Sequence, residues 1–118
     1  MIHIMIIEDD NSMRALLKIL LEIERFQVSA PESQDEQFLI SRINESKPDI
    51  VLMDVNLKKL NGLDFIKTIR KNPGWHQPRV ILSSGEDFRD NYQDAGADYF
   101  LLKPYMPTDL ISLLHALV

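Results

Sequence analysis

Apolar positions along the chain follow two alternating patterns. Short runs at Ile2–Ile7, Phe26–Ala30, Ile50–Met53, Val80–Leu82 and Tyr99–Leu102 are mostly continuous rather than alternating. Strands covered on both faces of a parallel sheet read this way. Between the runs the period becomes helical. Met13, Leu16, Leu17, Leu20 and Leu21 recur at i, i+3, i+4, i+7 and i+8, and Leu110, Leu113, Leu114 and Leu117 repeat the pattern near the C-terminus. Ser33 to Glu36 reads as a capping box opening the second helix. Asn61 is placed to cap the third, with Leu63, Ile66 and Ile69 on its buried face. A weaker fourth helix is predicted over Asp87–Asp94, and loops fall at Lys47–Asp49 and Asn72–Pro78.

Five strands and five helices in strict alternation predict one open, doubly wound α/β sheet of five parallel strands, a (βα)5 domain over residues 1–118. No repeat, low-complexity tract or linker interrupts it. Right-handed crossovers place the C-terminal ends of all strands on one edge, where ligands of such sheets bind.

Composition narrows the setting. A net charge of −5 argues against a broad nucleic-acid surface. The absence of cysteine excludes disulfides and thiolate metal sites, and agrees with a reducing compartment. No apolar run approaches the ~18 residues of a membrane span. The N-terminal run stops at acids, without a basic n-region or cleavage site. A cytoplasmic location and no membrane partner are therefore expected. His3, His76 and His115 show no ligand spacing and read as surface or packing residues.

The residues after each apolar run should converge on the sheet edge. They are Glu8, Asp9 and Asp10 after the first, Asp54 after the third, Ser83 and Ser84 after the fourth, and Lys103 with Pro104 after the fifth. Each alone has an ordinary explanation: a helix cap, a turn aspartate, the start of a loop. Together they form a carboxylate cluster that is costly unless neutralised. Oxygen ligands of this kind suit Mg²⁺, and a lysine can pair with a carboxylate or a phosphoryl group. Asp54 stands alone at the end of its strand, which suits a carboxylate nucleophile attacking phosphorus to give an acyl phosphate. Such chemistry needs positioning and charge neutralisation more than acid–base help, and no histidine lies in the set.

With those residues in place, the chain resembles the receiver domain of two-component response regulators over essentially all 118 residues. IIEDDNSMR is similar to the acidic-pair segment, DIVLMDVNLKKLNG to the phosphoacceptor strand and its turn, VILSS to the hydroxyl strand and AGADYFLLKP to the lysine strand. The resemblance implies a CheY-like sheet in the flavodoxin-like order 2-1-3-4-5. Asp54 would be the phosphoacceptor. Asp9 would bind Mg²⁺ directly, Glu8 through water, and Asn56 through its backbone carbonyl. Lys103 would pair with the phosphate, Phe100 would be the aromatic switch, and Asp10 would start the first helix. Counted from Pro78, family spacing selects Ser83 for the phosphoryl oxygen; Ser84, followed by Gly85, remains the alternative. The resemblance also implies a cis Lys103–Pro104 bond.

Three departures stand out: Lys58 where the family usually has proline, serine for the commoner threonine, and a Ser84–Gly96 stretch about two residues short. The last puts the length of the fourth helix, and any partner face built on it, in question. The function implied is a switch that catalyses its own aspartyl phosphorylation and dephosphorylation without being a conventional enzyme. Its donor would be a sensor histidine kinase or histidine phosphotransfer protein. Its output would pass to an effector protein or to an output domain outside this chain, and a homodimer stays open. Two competing readings are a degenerate receiver serving only as an interaction module and a flavodoxin-like cofactor binder. The second fits poorly, because the loop after the first strand is acidic and lacks the glycines of a phosphate loop.

Overall fold

A computed structural model describes residues 1–118. Five strands, β1 (His3–Ile7), β2 (Gln27–Ser29), β3 (Ile50–Asp54), β4 (Arg79–Ser84) and β5 (Tyr99–Leu102), form one sheet in the order β2-β1-β3-β4-β5. All four pairings are parallel. The helices are α1 (Asn11–Ile23), α2 (Glu36–Ser46), α3 (Gly62–Arg70) and α4 (Pro107–Leu117). None is long and apolar enough to cross a membrane.

The continuous apolar runs are explained by two cores, one on each face of the sheet. Met5, Ile7, Val51, Met53, Val80 and Leu82 meet Leu39 and Ile43 of α2 and Phe65, Ile66 and Ile69 of α3. The alternate residues Ile4, Ile6, Ile50, Leu52 and Ile81 meet Leu17 and Leu21 of α1 and Leu110 and Leu114 of α4. Every strand position in β1 and nearly all of β3 and β4 is buried, so neither face tolerates a polar alternation.

Three helices begin on side-chain caps. Asp10 Oδ1 accepts from the Met13 amide at 2.9 Å, and Asn61 Oδ1 from Asp64 at 3.1 Å. For α2 the cap is Asp35, which accepts from Phe38 at 2.9 Å, and not Ser33. The Ser33 hydroxyl is used two residues earlier, accepting from the Asp35 amide at 3.2 Å. The expected box is therefore displaced toward the helix.

The larger correction concerns the helix expected over Asp87–Asp94. Residues 85–98 instead form a succession of turns, so the sheet carries four helices rather than five. Asp, Asn and Gly dominate this stretch, and all three favour turns over helix interiors. Asp87 accepts from the Arg89 amide at 2.9 Å and from its guanidinium, closing a local ring in place of a helix start. The hydrogen bond from Arg89 holds the Asp87 carboxyl down at about 2. Most later bonds span three residues, as in Asp94 to Asn91 and Gly96 to Gln93, and no helical ladder develops. Gly96 ends the stretch at φ +97°, a conformation that side chains resist.

Candidate functional site

The C-terminal ends of β1, β3, β4 and β5 converge as the parallel topology requires. Glu8 follows β1, Asp54 ends β3, Ser83 and Ser84 end β4, and Lys103 follows β5. Carboxylate oxygens of Glu8, Asp9 and Asp54 all lie within 4.8 Å of one another. The Lys103 ammonium sits between them, 2.9 Å from Glu8 Oε1 and 3.6 Å from Asp54 Oδ1. Glu8 is only 5% exposed, yet both its oxygens are engaged: Oε1 with Lys103, and Oε2 accepting from the Asp9 amide at 3.0 Å.

Burial pushes the Asp54 carboxyl up; Lys103 opposes that, while Glu8 and Asp9 add to it. For Lys103, burial alone would favour the neutral amine, but the hydrogen bond and charge of Glu8, with Asp54 behind it, hold its pKa above the usual lysine value. Tyr105 packs beside the same group, and burial raises its phenol.

Strand register separates the two serines. Asp54 is paired with Ser83 across β3 and β4. Residues directly opposite in a parallel pair share a face, so Ser83 projects with Asp54, on the side of Ile81 and Leu52. Ser84 projects with Leu82, toward the other core. Their hydroxyls differ accordingly. That of Ser84 accepts from Asn56 Nδ2 and from the Glu86 amide, both at 3.0 Å, whereas that of Ser83 makes no hydrogen bond within the protein. Phe100 lies on the Ser84 side, edge-on to Phe88 at 6.1 Å and stacked with Tyr92 at 6.2 Å. The Lys103–Pro104 bond is cis.

The loop after Asp54 is fixed at several points. The Val55 amide donates to the Ser83 carbonyl at 2.9 Å, and the Gly62 amide to the Val55 carbonyl at 2.8 Å. A Cβ on Gly62 would come within 2.7 Å of the Asp54 carbonyl, so only glycine fits beneath Asp54. The Asn56 carbonyl accepts no hydrogen bond.

The sequence also matches a protein family over most of its length. "Response regulator receiver domain" matches residues 4–115. The chain belongs to the response regulator receiver family. Among curated relatives, this receiver is 30% identical to the DNA-binding response regulator MtrA of Mycobacterium tuberculosis, over 97% of its own length and 49% of the relative's. It is 28% identical to the phosphate regulon transcriptional regulatory protein PhoB of Escherichia coli, over 98% of its length and 51% of the relative's. The receiver thus spans about half the length of the curated relatives it matches. A signal receiver domain from Bermanella marisrubri superimposes with a TM-score of 0.86 at 28% identity, covering 98% of this chain and 96% of that one. The chemotaxis protein CheY4 of Vibrio cholerae shares the fold at 0.86 and 20% identity, covering 100% and 99%.

Other contacts at the site carry no signal in the sequence. Arg14 donates to the Glu8 carbonyl at 3.0 Å and to Asn11 at 2.7 Å, bracing the start of α1 against the acidic pair. Lys58, which stands where the family usually has proline, adds a tie. Its backbone amide, which proline would lack, donates to Asp9 Oδ2 at 3.0 Å. His3, His76 and His115 stay away from the site. His3 meets Ser29, His76 meets the Pro48 carbonyl, and His115 lies against Phe26 and Glu24.

Proposed function

We propose that this receiver is a phosphorylation-driven switch whose acceptor is Asp54. The observation that carries the reading is the shared edge and face of Asp54, Ser83, Glu8 and Lys103, with one free hydroxyl and one ammonium beside the acceptor carboxylate. An Asp54 oxygen attacks phosphorus, the P–N bond of a phosphohistidine donor breaks, and the imidazole leaves with the electron pair and takes up a proton. Lys103 and the Ser83 hydroxyl are placed to hydrogen-bond the transferred oxygens. Hydrolysis later breaks the P–O bond to Asp54, restoring the carboxylate and releasing phosphate.

The donor set fits Mg²⁺. It is all oxygen, and three carboxylates against one ammonium leave two negative charges for a divalent cation to balance. Asp9, Asp54 and the unpaired Asn56 carbonyl would hold the ion; Glu8, with both oxygens engaged, would act through water. When bound, Mg²⁺ offsets the charge of the phosphoryl oxygens.

A sensor histidine kinase or phosphotransfer protein is the proposed donor. Leu16, Ile19, Leu20 and Ile23 form a stripe at helical spacing on the outer flank of α1, with Leu16 49%, Ile19 57% and Ile23 71% exposed. The stripe continues into an apolar groove made with Lys103, Pro104 and Tyr105. A helix carrying a phosphohistidine can lie along such a stripe and reach Asp54. Output would pass to an effector, or to an attached domain of the kind implied by the longer, DNA-binding relatives. The receiver itself carries net charge −5 and is not proposed to touch DNA. A cytoplasmic setting follows from this kinase-fed role.

Incubation with acetyl phosphate, with and without Mg²⁺, tests the reading by intact mass. The wild type should gain one phosphoryl group only with Mg²⁺, in an alkali-labile form, and Asp54→Asn should gain none. No gain from acetyl phosphate or from a competent kinase would leave a degenerate interaction module in its place.

A further inference from the structure

Ser84 is the one fully buried hydroxyl at the end of β4, and it faces away from Asp54. Its contacts nonetheless run to the site. Through its hydroxyl it accepts from the side-chain amide of Asn56 at 3.0 Å and from the Glu86 amide at 3.0 Å. The same Asn56 nitrogen also donates to Glu86 Oε1 at 3.2 Å. This exposed side chain is thereby anchored on a buried strand end.

We propose that the Ser84 hydroxyl is a positioning group for the cation side of the site, fixing the Asn56 carbonyl through the Asn56 side-chain amide. The inference rests on the receiver reading, which gives that carbonyl a Mg²⁺ to meet. The adjacent serines then have separate tasks from opposite faces of one strand. Ser83 presents a free hydroxyl to the phosphoryl group, and Ser84 holds the loop that presents the carbonyl. Asn56 lies between two tethered points, the Val55 and Lys58 amides. Without its side-chain anchor, the peptide between them is free to turn its carbonyl away.

Calorimetric Mg²⁺ titration without a phosphodonor reads this directly. Ser84→Ala removes the hydroxyl but keeps the Ser84 carbonyl that accepts from the Lys103 amide at 2.8 Å. It should weaken Mg²⁺ binding by roughly three- to tenfold, as loss of one hydrogen bond behind a ligand does. Asn56→Ala, which keeps the backbone carbonyl, should weaken it at least as much, and the double variant no more than Asn56→Ala. Ser83→Ala should leave Mg²⁺ affinity unchanged while slowing phosphorylation. In the metal-free protein, the Asn56 side-chain amide protons should change NMR shift in Ser84→Ala, having lost the nearer of their two acceptors. Unchanged Mg²⁺ affinity, unmoved amide protons or additive losses would overturn the role. Should Ser84→Ala lose its fold, Asn56→Ala, at an exposed residue, carries the test: unchanged Mg²⁺ affinity there overturns it. A wild type that binds no Mg²⁺ defeats the receiver reading itself, an outcome distinct from a wild type and Ser84→Ala that bind equally.

Discussion

Asp54 holds its charge where burial and two neighbouring carboxylates oppose it, with only Lys103 in its favour. Its folded pKa therefore lies above 3.8, the ordinary value. The sign follows from linkage: the folded state binds the proton more tightly, so this contribution to stability is full below 3.8 and is lost as pH rises through the folded value. Asp54→Asn removes it. Urea unfolding at a series of pH values without Mg²⁺ should show the variant gaining on the wild type as pH rises toward neutrality. Parallel curves would mean that Lys103 neutralises Asp54 completely. Lys103 itself is raised above 10.5, so its contribution is intact at neutral pH and fades only as pH rises beyond that value. At this scale most of the site was readable from residue type and strand position. Family spacing favours Ser83 over Ser84, and the pairing of Asp54 with Ser83 adds that these two share a face, which residue type alone does not show. The Lys58 amide was not readable, since a backbone donor has no side-chain signature.

Among the elements, the turn beneath Asp54 is the most constrained. A methyl at Gly62 would meet the Asp54 carbonyl at 2.7 Å and Val55 Cα at 2.9 Å, both backbone atoms with no rotamer to yield. Gly62→Ala should cost about 1–3 kcal/mol, as overpacking does. It should also slow phosphorylation from acetyl phosphate by shifting the loop that carries Asn56. A denaturant midpoint and a rate measurement check the two halves. Strand identity was legible because most runs are apolar on both faces and four of the five are followed by a charged or hydroxyl residue, Phe26–Ala30 being the exception. The cap of α2 was misplaced by two residues because Ser33 and Asp35 both have capping chemistry, and only the backbone path decides which is used. Phe88 and Tyr92 in residues 85–98 carry a helical spacing, and they do pack on Phe100. The aspartates and glycines around them break the ladder that spacing suggested.

Over the whole molecule, the sheet divides the labour between its faces. One core is closed by α2 and α3, the other by α1 and α4. The inner side of α1 commits Leu17 and Leu21 to the core, while its outer flank stays apolar without a partner. The helical period placed Met13, Leu16 and Leu20 together with the core residues, since hydrophobicity alone does not distinguish a residue facing the sheet from one facing a partner. Leu16→Lys and Ile23→Lys should each leave stability within about 0.5 kcal/mol. They should leave acetyl phosphate labelling of Asp54 unchanged and lower phosphotransfer from a kinase severalfold. Equal losses with both donors would show that the flank supports the fold or the site rather than the donor protein.

The Glu8–Lys103 ion pair joins residues 95 positions apart, one just past the first strand and one just past the last. A growing chain exposes the acidic pair and then the acceptor long before the lysine that accompanies them has been made. On the proposed mechanism, the switch is therefore unarmed during synthesis until β5 docks beside β4. A receiver that has lost β5 to local unfolding likewise lacks the ammonium beside Asp54. Phosphotransfer to Asp54 by the proposed mechanism thus depends on completion of the fold.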